Sequence, residues 1–458
     1  MKRNRAAWMS FLGTRFCGLL IDAVFLGGAY VLAFLLRLDF QEPTWGWRKV
    51  AVSFIPFCFV NLLALVACGC YRRAWRRFRI ADLPWYALAL SIACAALTFL
   101  RVQMPDISLA HIRPPYSITL IGAVLALVGI VGWRIVWSWT ARLTIRDERL
   151  LEREVRTMNS EAAIGFLRGK TVMITGAGGS IGSEIVRQVA MASPKLMLLV
   201  ERGENALYEI DREMRQLGSE APMRPLMVDI NDLPRMEELF SEFRPEIVLH
   251  AAAYKHVPMV EMNPREGERN NTLATKSLAE LSKRHGVSRF VLISTDKAVN
   301  PVSVMGKTKL AAEKAIMALN GPEAQGTSFC AVRFGNVLGS SGSVVPLFRE
   351  QIERHLPVTV THPDMKRYFM TIPEAVGLVL QAASRREKAI YTLDMGKPVR
   401  ILDLAEEMIR QAGYKPYVDV PIRFTGIRPG EKLFEELDIS EKSAYKTDMA
   451  RIYITKTE

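Results

Sequence analysis

A glycine-rich stretch that begins at Thr171 and reads TVMITGAGGSIGSE constrains the fold more than any other part of the sequence. Its apolar start is typical of a buried strand, and its end is typical of the first turn of a helix. Gly176, Gly179 and Gly182 are spaced so that the first makes a tight turn, the second lets the backbone approach a pyrophosphate, and the third lets the helix pack on the strand. The free N–H groups at the start of the helix attract the anion. The stretch therefore predicts a dinucleotide site in a Rossmann fold.

An acidic residue follows the next apolar run at the distance that such a site requires. The run from Leu196 to Val200 ends in Glu201, nineteen residues after Gly182, where a carboxylate binds the adenosine ribose diol. A carboxylate there repels a 2′-phosphate, so the sequence favours NAD over NADP. Arg202 favours NADP instead, because an arginine in this place can bind the 2′-phosphate. The alternative is a glycine-rich turn that binds no ligand.

The first third of the chain differs from the rest in charge and hydropathy. Residues 1–150 contain 18 Lys and Arg against 7 Asp and Glu, a net charge of +11, whereas residues 151–458 have a net charge of +2. Four apolar segments each approach the roughly 20 residues that a membrane helix needs. These segments are residues 16–36, 50–70, 83–100 and 116–139. We therefore predict a four-helix transmembrane domain over 1–140, an amphipathic juxtamembrane linker over 141–168 and a catalytic domain over 169–458.

The distribution of positive charge predicts the orientation in the bilayer. The N-terminus and the loop 71–82, which contains five arginines, are the most basic connections, and such connections stay in the cytoplasm. Both termini and the catalytic domain are thus expected on the cytoplasmic side of the inner membrane. No nucleic-acid partner is expected, because the C-terminal part is nearly neutral. Asp22, inside the first span, is expected to pair with Arg15, seven residues earlier on the same helical face.

Strands and helices alternate from Lys170 onward. This alternation predicts an α/β fold with a doubly wound parallel sheet, whose ligands bind at the carboxyl ends of the strands. The predicted strands are 171–175, 196–200, 225–228, 246–250, 289–294 and 328–333, and the predicted helices are 181–191, 204–216, 233–241 and 307–319.

Four motifs follow these strands or close the chain: HAAAYKHVPMVE from His250, STDKAVNP from Ser294, RFGNVLGSSGSVVP from Arg333 and RPGEK from Arg428. Together with the glycine stretch, they resemble the CapD-like polysaccharide biosynthesis proteins, which are membrane-bound UDP-GlcNAc 4,6-dehydratases among the extended short-chain dehydrogenase/reductases. The resemblance extends over essentially the whole chain. It implies that the C-terminal part forms a small substrate-binding subdomain beside the Rossmann sheet.

Two features depart from the wider superfamily. Its catalytic motif is YxxxK, but Met305 stands at the tyrosine position and only Lys309 is retained. A thioether cannot titrate, so Met305 is neither acid nor base; the membrane-bound branch of the family is similar in lacking the tyrosine. Many relatives also contain an extra Rossmann-like domain between the membrane part and the catalytic domain. Here only the linker over 141–168 stands in that place.

The resemblance implies an intramolecular redox reaction. NAD⁺ accepts hydride from sugar carbon 4, the ketone acidifies the proton at carbon 5, water leaves across carbons 5 and 6, and the hydride returns to carbon 6. Elimination needs a base and an acid close together, and Asp296 and Lys297 supply both if their environment tunes them. We assign Asp296 as the acid to the leaving hydroxyl, Lys297 as the base at carbon 5, and Thr295 as the residue that holds the carbon 4 oxygen.

The remaining site residues are assigned by motif and resemblance, and no metal is predicted. The residues expected to bind NAD are Gly176, Gly179, Ser180, Ile181, Gly182, Glu201, Asp229, Ile230, Ala251, Ala252 and Lys309, the last of which is also counted as catalytic. The residues expected to bind the UDP-sugar are Lys255, Asn336, Arg428 and Glu431. A guanidinium matches phosphate bidentately and a carboxylate can bind a ribose diol. The other expected partners are the lipid bilayer, further copies of the chain and downstream enzymes of glycan biosynthesis.

Two other functions stay open at this point. A UDP-sugar 4-epimerase shares the fold and the cofactor, but it relies on proton exchange at the 4-hydroxyl, for which the missing tyrosine is most needed. A non-catalytic NAD-binding membrane scaffold explains Met305 and the membrane anchor. It gives no reason to keep Asp296, Lys297 and Lys309.

Overall fold

The computed structural model describes residues 15–38, 47–71, 82–103, 115–142, 161–321, 326–437, 439–440 and 443–456. They form two compact units, one that contains the apolar helices up to residue 142 and one that contains the α/β fold from residue 161. The first unit has the helices α1 Arg15–Arg37, α2 Trp47–Ala67, α3 Leu83–Gln103 and α4 Tyr116–Arg142.

Three of these four helices are long and apolar enough to cross a membrane, counted over the described residues: Gly18–Arg37, Leu83–Val102 and Tyr116–Val136. The prediction of four such helices is therefore met in three segments. The second predicted segment forms α2, in which the apolar part found is Ala51–Ala67.

A polar cluster ties the first helix to the last helix of this unit. The Asp22 carboxylate accepts hydrogen bonds from the Tyr71 hydroxyl at 2.6 Å and from the Arg134 guanidinium, and Arg134 also lies 4.8 Å from the centre of the Tyr86 ring. Asp22 and Arg134 are each only 1% exposed. The observed partner of Asp22 is Arg134; the side chain of the predicted partner, Arg15, lies outside the described residues. The Asp22 charge is thus paired and buried, as a structural ion pair inside a bundle of apolar helices would be.

The second unit is built on a nine-stranded sheet. Its strands are β1 Thr171–Thr175, β2 Leu196–Glu201, β3 Met223–Met227, β4 Ile247–His250, β5 Arg289–Ile293, β6 Ser328–Arg333, β11 Ile390–Leu393, β14 Ala444–Lys446 and β15 Ile452–Thr455. Its strands β1 to β6 follow the 3-2-1-4-5-6 order of a dinucleotide-binding fold, and all of them pair in parallel. Only β14 and β15 run antiparallel to their neighbours. The full order across the sheet is β14-β15-β11-β6-β5-β4-β1-β2-β3. The predicted doubly wound sheet is confirmed.

Helices cover both faces of the sheet. Because side chains alternate along a strand, Val172 and Ile174 enter the core on one face and Met173 enters the core on the other. The helices are α5 Glu161–Leu167, α6 Ser180–Ala190, α7 Glu204–Gln216, α8 Leu233–Phe243, α9 Val257–Met262, α10 Pro264–Glu268, α11 Ala274–Arg284, α12 Val304–Ala318, α13 Val344–Glu353, α14 Ile372–Ser384 and α15 Ile401–Gln411. A π-helical turn, Arg269–Leu273, joins α10 to α11.

The helix α5 lies within the range predicted as a linker, yet it packs with the catalytic unit. Its Ala163 and Leu167 are fully buried in the core on one face of the sheet. The rest of the predicted amphipathic linker, residues 143–160, lies outside the described residues.

Short strands form a small C-terminal subdomain. They pair two by two, β7 with β10, β9 with β12 and β8 with β13. Their bounds are β7 Asn336–Val337, β8 Val358–Val360, β9 Lys366–Arg367, β10 Phe369–Met370, β12 Val399–Arg400 and β13 Ile422–Phe424.

Candidate active site

The glycine turn after β1 has the shape of a cradle for a ligand. Gly176 has φ +69°, and a Cβ on it would lie 2.8 Å from the backbone nitrogen of Ala252. A Cβ on Gly182 would lie 1.9 Å from the Gly176 carbonyl oxygen, so the helix can pack on the strand only with glycine there. Gly179, by contrast, has only the Gly176 oxygen, at 3.3 Å, within 4 Å of its would-be Cβ. Gly176 and Gly182 therefore serve close packing, whereas Gly179 is less crowded and lines the cavity described below.

A fourth glycine, Gly178, was not singled out from the sequence. A Cβ on it would lie 2.6 Å from the Cβ of Ala206, so it lets the turn approach α7. The carboxylate of Glu201 accepts hydrogen bonds from the backbone N–H groups of Gly178, at 3.2 Å, and Gly203, at 2.9 Å. The predicted ribose-binding acid is therefore held against the glycine turn.

Arg202 is directed toward a different partner. Its guanidinium donates to the Tyr254 hydroxyl at 2.6 Å and lies 4.7 Å from the centre of the Tyr254 ring. This cation–π contact and hydrogen bond occupy the side chain that would otherwise accommodate a 2′-phosphate. Asp229 accepts from the backbone and side-chain nitrogens of Asn231 at 2.9 and 2.8 Å. Burial opposes these bonds, but they prevail and lower the pKa of Asp229.

A cavity of about 840 Å³ opens at the carboxyl ends of β1, β4, β5 and β6 and continues into the C-terminal subdomain. It brings together twelve of the predicted residues: Gly179, Ser180, Ile181, Gly182, Ala251, Lys255, Thr295, Lys297, Lys309, Asn336, Arg428 and Glu431. Six other predicted residues are not part of its lining: Gly176, Glu201, Asp229, Ile230, Ala252 and Asp296. Parallel strands place their following loops at one edge of the sheet, which is why residues from distant motifs meet here.

The Thr295-Asp296-Lys297 turn follows β5 as a short 3₁₀ helix capped by the Thr295 hydroxyl. Asp296 is 1% exposed. Its Oδ1 accepts from the Thr295 hydroxyl at 3.0 Å and from the Lys297 Nζ at 2.9 Å. Its Oδ2 is buried and has no hydrogen-bond partner in the part of the chain that the structure describes. The predicted acid and base therefore touch each other, and one carboxylate oxygen stays available.

Lys297 has a second carboxylate nearby, which the sequence did not reveal. Its Nζ lies 3.6 Å from Oε1 of Glu435 and donates to Asn336 Oδ1 at 3.3 Å. Burial favours the neutral amine, but the charges of Asp296 and Glu435 outweigh it and raise the pKa of Lys297. The resting side chain is therefore an ammonium. Glu435 lies four residues after the predicted Glu431, in a run without strand or helix periodicity, so only its proximity to the RPGEK motif pointed toward it.

Lys309 and Met305 occupy successive turns of α12. Lys309 is 4% exposed and donates from Nζ to the Ile293 carbonyl oxygen at 2.6 Å. Burial lowers the pKa of Lys309 to about 8, although Glu313 partly opposes this. Met305 is 3% exposed and packs against Val257 and Val260. Met305, which stands at the position of the superfamily's tyrosine, therefore forms part of the apolar lining of the cavity.

The predicted nucleotide-binding residues Arg428 and Glu431 line the cavity. Arg428 donates to Glu431 Oε1 at 2.7 Å, so these two residues pair with each other. Lys255 lines the same cavity, and burial lowers its pKa.

The parallel sheet, the glycine cradle and the lysine of α12 define the class: a Rossmann domain of the short-chain dehydrogenase/reductase type. Residues 172–457 match the family model described as polysaccharide biosynthesis protein. The chain belongs to this family.

Comparison with individual proteins agrees with the family. The chain is 53% identical over 295 residues, 64% of its length, to the capsular polysaccharide biosynthesis protein CapD of Staphylococcus aureus, and the match covers 49% of CapD. The chain thus spans about half the length of that relative. It is 33% identical to a UDP-glucose 4-epimerase of Rickettsia canadensis over 62% of this chain and 82% of that protein. It is 31% identical to a UDP-N-acetylglucosamine 4,6-dehydratase (inverting) of Campylobacter jejuni over 63% of this chain and 83% of that protein.

The fold is also shared with a solved structure, that of Pen from Bacillus thuringiensis. The TM-score is 0.58 at 31% sequence identity, and the match covers 63% of this chain and 90% of that one.

Proposed function

We propose that this protein is an NAD-dependent nucleotide-sugar 4,6-dehydratase that converts UDP-GlcNAc to a UDP-4-keto-6-deoxy sugar for surface polysaccharide biosynthesis. The observation that carries the proposal is the hydrogen-bonded pair of Asp296 and Lys297, which follows β5 beside the cavity that the glycine turn also lines. An acid and a base in contact suit an elimination, in which one proton is taken and another is given at neighbouring carbons. The dehydratase relative from Campylobacter jejuni supports the substrate.

The residues of the glycine turn fit NAD. Gly179 lines the cavity, and α6 has no side-chain cap among the described residues, so its first backbone N–H groups would be left for a pyrophosphate. Glu201 would bind the adenosine ribose and Lys309 the nicotinamide ribose. When bound, NAD would supply a hydride acceptor for carbon 4 and a hydride donor for carbon 6. Solved structures of the same fold include a dTDP-glucose 4,6-dehydratase with NAD bound.

The acid and base roles depend on where one proton lies. Because the pKa of Lys297 is raised, the resting pair is an ammonium and a carboxylate. Transfer of that proton along the 2.9 Å hydrogen bond to Asp296 converts the pair to a neutral amine and a carboxylic acid. Lys297 then removes the carbon 5 proton, and Asp296 protonates the departing 6-hydroxyl. The C5–H and C6–O bonds break, a C5–C6 double bond forms, and water leaves.

Thr295 and Met305 complete this assignment. The Thr295 hydroxyl lies beside Asp296 and would hold the carbon 4 oxygen. Met305 contributes only apolar contact, because its thioether has no proton to exchange. Arg428, Glu431, Lys255 and Asn336 would bind the UDP part and the sugar.

The experiment that tests this function is incubation of the detergent-purified chain with UDP-GlcNAc in deuterated water. We expect a 4-keto-6-deoxy product with deuterium at carbon 5, because elimination exchanges that proton. The epimerase relative makes a 4-epimerase the second candidate, and it would yield the 4-epimer at constant mass without deuterium at carbon 5. An unchanged substrate would contradict both and leave the scaffold function.

We also propose that the first unit anchors the protein in the cytoplasmic membrane with the catalytic unit in the cytoplasm. The three long apolar helices support the anchor, and the basic loop 71–82 supports the orientation. Both termini lie on one side only if the shorter apolar helix Ala51–Ala67 also crosses. Extraction of the chain from membranes by carbonate would contradict the anchor. Protection of the C-terminus from protease in right-side-out spheroplasts, with digestion after lysis, is the expected result for the orientation.

A further inference from the structure

A C-terminal segment, residues 428–436, contributes three acidic or basic side chains to the cavity: Arg428, Glu431 and Glu435. The buried Arg367 of β9 fixes this segment by donating to the carbonyl oxygens of Lys432 at 2.8 Å and Leu433 at 3.1 Å. The segment therefore reaches the catalytic turn in a defined position.

The surroundings of Glu435 are unfavourable for a charged carboxylate, because they are buried and offer it only loose ion pairs. It is 8% exposed, and its Oε1 lies 3.6 Å from Lys297 Nζ and 3.7 Å from Arg367 Nε. Its Oε2 is buried without a hydrogen-bond partner among the residues that the structure describes. A buried carboxylate that is only loosely paired lowers stability, and such groups cluster at functional sites. The roles assigned to Asp296 and Lys297 do not explain why the Glu435 carboxylate is buried beside them.

We infer that Glu435 is a positioning residue for Lys297, which it holds at the cavity wall together with Asp296. The charged groups that face Lys297 are Asp296 on its own turn, Glu435 on the C-terminal segment and Arg367 on β9. Glu435 lies on the same segment as the expected UDP-binding residues Arg428 and Glu431. Through Glu435, contact of the substrate with residues 428–436 therefore affects the protonation of Lys297. The inference deepens the proposed function and rests on it for the role of Lys297 in the reaction.

The sign of the effect follows from the charge. Glu435 stabilises the ammonium form, so replacing it with the neutral, isosteric glutamine lowers the pKa of Lys297. An opposite charge at this distance shifts a pKa by about one unit or more. We therefore expect the neutral amine of Lys297 to appear about one pH unit lower in Glu435→Gln.

Trace labelling with acetic anhydride measures this directly on the full chain in detergent, without substrate. The acetylation of Lys297 is followed against pH by peptide mass spectrometry. We expect the labelling midpoint to fall by about one pH unit in Glu435→Gln. The matched control is Glu436→Gln, because Glu436 is exposed and pairs with Lys432 and Asn300. It should keep the wild-type midpoint. An unshifted midpoint in Glu435→Gln overturns the inference.

A kinetic measurement separates positioning from a merely structural role. The alkaline limb of the pH profile of kcat/KM for dehydration should move to lower pH by about one unit in Glu435→Gln, because the reactive pair shares one proton and loses its acid when the Lys297 proton goes to solvent. A lower kcat with an unmoved limb overturns the inference.

If Glu435→Gln fails to fold, the test uses Glu435→Asp, which keeps the charge. This variant must fold and retain the wild-type labelling midpoint of Lys297, and a shifted midpoint overturns the inference. If the wild-type chain does not dehydrate UDP-GlcNAc, the proposed function fails while the labelling midpoint still decides the role of Glu435.

Discussion

Replacing Asp296 with asparagine tests the assignment of the acid most directly. Asparagine keeps the shape of the side chain, and its Oδ1 can still accept from the Thr295 hydroxyl and from Lys297. The amide nitrogen takes the place of Oδ2, which has no partner in the described structure, so two N–H donors stay unpaired. That costs about 1–3 kcal/mol of stability, which a unit of this size tolerates. The variant should fold and keep its cavity.

Catalysis should suffer far more than folding. An amide cannot deliver a proton to the departing 6-hydroxyl, and loss of a general acid slows a reaction about 10²–10⁴-fold, or about 3–5 kcal/mol of barrier. The loss should persist across the pH range, because no change of pH restores a proton donor to the amide. Lys297 keeps Glu435 as a counter-ion, so its ammonium is not left unpaired.

The assay is the initial rate of 4-keto-6-deoxy sugar formation by the detergent-purified chain, with thermal unfolding measured in parallel. Asp403→Asn is the control, since Asp403 lies exposed on α15 and pairs with Arg400. It should retain the wild-type rate. Near wild-type turnover by Asp296→Asn would mean that another group is the acid and would refute the reasoning.

Three further predictions concern the cofactor cradle and the tyrosine position. Glu201→Ala should weaken NAD binding by about 1.5–3 kcal/mol, measured by calorimetry, and a preference for NADP in the wild type would contradict the assignment. Gly182→Ala should abolish NAD binding and lower the melting temperature, because its Cβ would lie 1.9 Å from a backbone oxygen; Gly165→Ala, with nothing within 4 Å, should do neither. Met305→Ala should keep dehydration within about tenfold of wild type, as expected for a slightly misplaced substrate, whereas a loss like that of a general acid would give Met305 an unsuspected role.

The sequence by itself determined the features that depend on neighbouring residues. The strand, the glycine turn and the helix start follow one another along the chain, so the cradle at Gly176 to Gly182 and the acid at Glu201 could be predicted from spacing alone. The parallel sheet followed from the alternation of strands and helices. Its order then brought the predicted Thr295 turn and Lys309 to one cavity.

Only the tertiary structure decided which charged side chains form ion pairs. Asp22 pairs with Arg134, 112 residues away, and Lys297 lies beside Glu435 from the far end of the chain. Such pairs have no signature in the sequence, because an ion pair requires only proximity and imposes no spacing. The protonation of Lys297 depends on one of them, so Lys297 could be proposed as the base from its motif, whereas its resting charge could not be predicted.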